Sequence, residues 1–201
     1  MTTDKVLTEE QFKSGITFDD FLAETERKVA ATDVTSLDQE ALETFKYTDL
    51  NVHRMKRGIK SFTPDEQLVE LVNKSSAGTK WLVITEDWCG DSAQCLPGLY
   101  LMAKANPSIE FRIFERDKNP ELMDKYLTNG TRSVPILVGM NEQFEEIFHW
   151  GSRPKEAADL VKEWKAQGLE KAEFIERLHV WYGRNRCKAL QEEIKTILAG
   201  V

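Results

Sequence analysis

The chain has 201 residues, 41% of them apolar and 30% charged, which is a length and composition that folds around one core and excludes wholesale disorder or a fibrous repeat. Its 27 Lys and Arg against 34 Asp and Glu give a net charge of −7, without the basic footprint of a non-specific nucleic-acid binder. No window approaches the ~20 apolar residues of a membrane span, and the first residues lack a basic and then apolar leader, so a soluble cytoplasmic protein is expected.

In chain order, Thr8 with Gln11 and Ser36 with Gln39 have capping-box spacing and are each expected to open a helix. Phe18, Phe21, Leu22 and Val29 recur near a period of 3.6, predicting a helix over 17–30; a longer one is expected over 37–57, closed by Gly58. Thr63 as N-cap, Pro64 at the first helical position and Asp65 and Glu66 in the first turn announce another. The pattern then changes to a continuous apolar run, Trp81 to Ile84, as in a strand covered on both faces. Further strands are expected over 111–115, 134–138 and 144–150, with a turn at Gly139 to Asn141 and helices over 90–104 and 120–128. Ser152, Arg153 and Pro154 precede another helix, and 169–199 reads as a terminal helix with a break at Gly183. The order is that of an α/β fold with a mixed four-stranded sheet flanked by helices, extra helices standing at both termini. We divide it into a helical extension over 1–61, a central domain over 62–168 and a C-terminal helix over 169–201.

Three cysteines are an odd number and too few to staple a secreted scaffold. No Cys and His spacing suits zinc, and neither metal nor cofactor is expected. Cys89 follows the first buried strand and opens the next helix, where free backbone N–H groups and the helix dipole favour thiolate. Glu86 and Asp87, just upstream, work against this if they lie close, and the net effect is not fixed by the sequence. Val134 and Pro135 open another apolar strand, a place for proline that suits a cis bond.

The segment Asp87, Trp88, Cys89, Gly90 resembles the Trp-Cys-Gly-Pro-Cys site of the thioredoxin family. Asp117 to Pro120 is similar to the loop opening that family's third helix, Arg132 to Pro135 to its cis-proline turn, and Gly151 to a glycine near its active site. Tyr47 to Asn51 and Arg54 to Arg57, with Trp-Cys-Gly-Asp, further resemble a bacterial thioredoxin-like group with a helical N-terminal extension. The resemblance implies a thioredoxin-like fold, a nucleophile at Cys89 and substrate-binding positions at Trp88, Gly90, Val134, Pro135 and Gly151.

Departures from the family pattern limit how much of its chemistry this chain can share. Ser92 stands where the family has its resolving cysteine, and Val83 and Ile113 replace its buried Asp and Lys. Cys95 could serve as a second thiol only if the helix unwinds, because six helical residues rise ~9 Å and a disulfide needs Cα atoms within ~7 Å. The sequence therefore points to a monothiol thiol-disulfide oxidoreductase in which Cys89 acts with Ser92, on a protein or low-molecular-weight thiol or disulfide, without nucleic-acid or membrane partners. A non-catalytic thioredoxin-like module that docks a protein or dimerises is the alternative; peroxide reduction is a third reading. Cys187 is expected on a solvated face, Trp150, Trp164 and Trp181 in packing roles, and His149 as a structural residue unless it lies near enough to act as a base.

Overall fold

The computed structural model describes residues 5–201. Helices α1 (Glu9–Ser14), α2 (Phe18–Ala31), α3 (Gln39–Ser61) and α4 (Glu66–Val72) precede strand β1 (Lys80–Thr85). Helix α5 (Gly90–Lys104), β2 (Glu110–Glu115), α6 (Pro120–Met123), β3 (Ile136–Met140) and β4 (Glu146–Gly151) follow, and then α7 (Lys155–Ala166), α8 (Lys171–Asn185) and α9 (Lys188–Ala199). The sheet runs β2-β1-β3-β4, with β1 parallel to β2 and antiparallel to β3, and β3 antiparallel to β4.

Alternate side chains of a strand face opposite sides, and here both sides are covered. Trp81, Val83, Ile113, Leu137 and Phe148 join the core formed with α3, α5 and the C-terminal helices. Leu82, Ile84, Phe114, Ile136 and Val138 face a smaller cluster with Phe12 of α1, Met123 and Tyr126. Val83 and Ile113, the apolar substitutes for the family's buried ion pair, are register partners in the parallel ladder and are buried. Ile16 exchanges backbone hydrogen bonds with Ile113 and so shields the outer edge of β2.

Several expected boundaries move. The capping box at Thr8 forms as expected, but α3 is capped by Asp38 rather than Ser36, and α4 by Asp65 rather than Thr63. In each the carboxylate two residues on takes the orphan N–H of the first turn. The strand expected from 134 starts at Ile136, after the cis Val134–Pro135 bond, since proline has no N–H for the ladder. Helix α6 is shorter than expected and continues as a 3-10 turn over Asp124–Tyr126. The terminal helix breaks at Arg186 and Cys187, both left-handed (φ 50° and 63°), and not at Gly183.

Gly58 does not end α3; it lies within that helix at its crossing with α5. A Cβ there would meet Pro97 Cβ at 2.8 Å and its Cγ at 2.9 Å. A proline ring cannot rotate aside, so Gly58→Ala must separate the two helices. Overpacking of this kind costs about 1–3 kcal/mol, against which alanine regains ~1 kcal/mol of helix propensity. We expect a net loss of about 1 kcal/mol, read as a lower urea midpoint at constant slope.

Candidate active site

Cys89 is the N-cap of α5, placed there by the chain turning at the end of β1, where its N–H donates to Glu86 O at 3.2 Å. The thiol donates to the carbonyl of Val134 at 3.3 Å, beside the cis Val134–Pro135 bond. Trp88, Cys89, Val134 and Gly151 line one cleft of about 810 Å³, with Asp91, Ser133 and Arg153 among their neighbours. Gly151 has φ +152°, and a Cβ on it would approach Pro135 O to 2.5 Å. Trp88 lies under the Arg116 guanidinium, 4.8 Å from ring centre to Cζ.

The N-terminal helices leave the cleft open: none of its lining residues comes from α1, α2 or α3. They secure the loop before Cys89 instead. Asp87 accepts from Lys28 of α2 at 2.7 Å and from Thr48 of α3 at 3.4 Å, while Asn51 donates to Asp87 O and accepts from Arg54, both at 2.8 Å. Glu86 accepts from the Asp117 backbone N–H at 2.8 Å, and burial raises its pKa. The expectation that Glu86 and Asp87 would oppose the thiolate is therefore corrected. The carboxylate that does so is Asp91, in the first turn of α5.

Burial, and then Asp91, push the Cys89 thiol up; the Ser92 hydroxyl and the N–H groups of Ser92 and Asp91 act in the opposite direction. The stabilising groups expected at a helix N-terminus are present but are outweighed by desolvation. Ser92 Oγ is buried and has no partner of ordinary hydrogen-bond geometry while the thiol proton is directed at Val134. The Cys89 thiolate is an acceptor within its reach. We accordingly expect Ser92→Ala to raise the Cys89 pKa further without loss of stability, because the removed hydroxyl has no partner to lose. The pH dependence of Cys89 alkylation and a urea titration read the two effects separately.

Asp91 ties three elements together. It accepts from Arg153 Nε at 2.8 Å and from Arg153 Nη2, and from the Tyr182 hydroxyl of α8 at 2.5 Å. Cys95, fully buried, donates to Tyr182 Oη at 3.8 Å. Helix α5 runs unbroken from Gly90, and all three cysteines are free, so Cys95 stands inside the core and outside the cleft. Cys187 is half-buried against Gln94 O at 3.6 Å rather than on a solvated face, and burial pushes its pKa up to about 11. His149 pairs with Glu146 at 2.6 Å and is not among the cleft residues. Trp150 is buried, with its indole N–H on Glu193, while Trp164 and Trp181 pack on the core edge. Among the described residues no group of three or more His, Cys, Asp or Glu is placed to hold a metal.

His179 of α8 covers the start of α5: a Cβ on Gly90 would meet its Cε1 at 2.6 Å. Its Nδ1 is buried without a partner. Burial, reinforced by Arg54, Arg153 and Arg57 and opposed by Asp91, lowers its pKa from 6.5 to about 4. The folded state keeps this ring neutral while the unfolded chain protonates it, so stability is full above pH 6.5, declines as pH falls towards 4 and is level below that. The partly exposed ring contributes roughly 2 kcal/mol of this loss. His179→Gln should flatten that part of the pH profile of urea-derived stability.

Arg153, Tyr182, His179 and Asp91 were not legible as site residues. Asp91 belongs to the Trp-Cys-Gly-Asp segment, but the other three reach the site only through tertiary contacts.

A cysteine at a helix N-terminus after the first core strand, facing a cis-proline loop across a four-stranded mixed sheet, defines a thioredoxin-fold protein. A family model described as thioredoxin matches residues 38–165, well over half of the sequence, and the chain belongs to the thioredoxin family. Two solved structures resemble it along nearly their whole length. One is a protein of unknown function from Pseudomonas aeruginosa, 18% identical, with a TM-score of 0.59 over 94% of this chain and 95% of that chain. The other is an HIV epitope-scaffold, also 18% identical, with a TM-score of 0.57 over 96% and 97%. At this identity the likeness concerns the fold alone. No curated protein matches the sequence. No helix among the described residues is long and apolar enough to cross a membrane.

Proposed function

We propose that the protein is a monothiol thiol-disulfide oxidoreductase acting through Cys89. The observation that carries this reading is the Cys89 thiol at the cleft, 3.3 Å from the Val134 carbonyl beside Pro135, with Ser92 one turn on in place of a second cysteine. After losing its proton, Cys89 attacks one sulfur of a disulfide R–S–S–R. A bond forms between Cys89 Sγ and that sulfur, the S–S bond breaks, and RS⁻ leaves and takes up a proton. An external thiolate then attacks the mixed disulfide, forms a new disulfide with R–S and returns Cys89 as thiolate.

The hydrogen bond to Val134 O favours the protonated thiol. A substrate that occupies the Val134 and Pro135 edge displaces the thiol from that carbonyl, and the released sulfur turns to the Ser92 hydroxyl and the helix N–H groups. Ser92 thus acts as a positioning residue for the thiolate. The expected result with hydroxyethyl disulfide is one adduct on Cys89, seen by intact mass and peptide mapping and discharged by excess thiol. An adduct on Cys187 alone, or no adduct on Cys89 with this or any charged disulfide, would overturn the reading.

The raised pKa of Cys89 favours the second reading, a thioredoxin-like binding module. On that reading Cys89 stays unmodified at every pH at which the fold persists.

A further inference from the structure

The cleft at Cys89 carries a charge opposite to that of the chain. The whole sequence is −7, yet the lining includes four cations, Arg116, Arg132, Arg153 and Lys165, against one carboxylate, Asp91. That carboxylate is already engaged by Arg153 and Tyr182. The cations come from separate parts of the fold: the end of β2, the loop before Pro135, the segment after β4, and α7. Their convergence beside one sulfur is a product of tertiary structure and not of a basic run in sequence.

Their partners leave field to spare. Arg116 pairs with Asp117, and Arg132 holds Asp124 through both Nε and Nη2; both carboxylates are well exposed and screened by water, so they offset the field of the two guanidiniums only in part. Lys165 has no carboxylate within ion-pair distance among the described residues; its ammonium lies over the Phe174 ring at 5.2 Å. Thr131, Ser133 and Ser152 add hydroxyls to the same lining. A volume of about 810 Å³ is that of a small-molecule cleft.

We infer that the substrate is a low-molecular-weight disulfide or thiol bearing carboxylates, whose anionic groups are received by Arg132, Arg153 and Lys165 while its sulfur meets Cys89. This rests on the oxidoreductase reading above and adds the charge class of the substrate. A cleft lined with one sign of charge concentrates ligands of the other sign, and salt weakens the effect. The same disulfide exchange should therefore depend on the charge carried two carbons from the sulfur.

Three disulfides of one skeleton make the test: dithiodipropionate, a dianion; hydroxyethyl disulfide, neutral; and cystamine, a dication. Rates of adduct formation at Cys89 in the full chain, each divided by the rate with N-acetylcysteinamide, remove intrinsic reactivity. The expected order is dithiodipropionate, then hydroxyethyl disulfide, then cystamine, with about tenfold between the first two at low salt. The advantage should shrink in high salt and in Lys165→Glu, whose ammonium has no ion pair to break. Equal normalised rates, or cystamine fastest, overturn the inference and leave the oxidoreductase reading standing. If Cys89 reacts with none of the three, the oxidoreductase reading falls. Calorimetric titration of Cys89→Ser then decides the charge class by itself. Heat of binding with dithiodipropionate and none with hydroxyethyl disulfide supports it; no difference between them overturns it.

Discussion

Cys89→Ser is expected to lose disulfide exchange by at least about 10³-fold while keeping its fold. A serine hydroxyl is not ionised at any pH the protein survives, and no other thiol in the structure stands in the cleft. Cys95 is enclosed between α5 and α8, with its pKa pushed well up by burial, and Cys187 lies against the second turn of α5. The serine hydroxyl can still donate to Val134 O, so the loop keeps its contact and the melting temperature should stay close to that of the parent. Cys95→Ser and Cys187→Ser should leave exchange unchanged. If Cys89→Ser exchanges as fast as the parent, the monothiol mechanism is wrong; if Cys95→Ser also loses exchange, the first turn of α5 must open during turnover.

The pattern of the chain specified the central architecture because the signals were local. A continuous apolar run marked β1, and the segment from Cys89 to the next apolar run marked α5, which forms despite Pro97 and Gly98 in its interior; both proved to have the expected place. The helix caps were missed by two residues because Ser36 and Asp38, like Thr63 and Asp65, are both competent N-caps; Ser36 is taken up in the 3-10 turn Val34–Ser36, and Asp65 is held by Gln191 and Lys195 of α9. Gly58 misled for a different reason. Glycine at the end of an apolar stripe reads as a stop signal, but here its missing Cβ admits Pro97 of α5. The placement of Cys89 beside the cis-proline loop was legible because both sit at the ends of strands with characteristic spacing. The charge environment was not: Asp91, Arg153, Tyr182 and His179 are separated by up to 91 residues, and no periodicity links a carboxylate on α5 to a phenol on α8. This explains why the net direction of the Cys89 pKa cannot be read from the helix terminus and the neighbouring carboxylates alone. Dipole and backbone donors are local and visible in sequence, whereas desolvation is a property of the assembled fold.

Asp91→Asn is expected to have opposite effects on stability and on reactivity. The carboxylate and its partner are both largely removed from water, with side-chain exposures of 13% for Asp91 and 26% for Arg153, and Tyr182 is buried. The amide can accept from one of these donors, but its NH₂ faces the guanidinium, leaving a buried charge without its counterion. Breaking such a pair by changing one partner costs about 3 kcal/mol, equivalent to a melting temperature lower by roughly 6–10 °C in a protein of this size. The same substitution removes the carboxylate that opposes ionisation of Cys89, so the pKa of that thiol falls and its alkylation at neutral pH accelerates. Faster alkylation could also come from partial unfolding, and Cys95 distinguishes the two. It is 1% exposed, and any opening of the α5–α8 contact would expose it as well. Selective acceleration at Cys89 with Cys95 still protected is the result expected from electrostatics; parallel acceleration at both would assign the effect to unfolding. Arg153→Met supplies the reverse test. It leaves the Asp91 carboxylate without its main cation, so stability should fall as before, but Cys89 should alkylate more slowly than in the parent protein. A common loss of stability with opposite changes at one sulfur is not produced by structural damage alone, and it would locate control of the Cys89 thiol in the Asp91 and Arg153 pair.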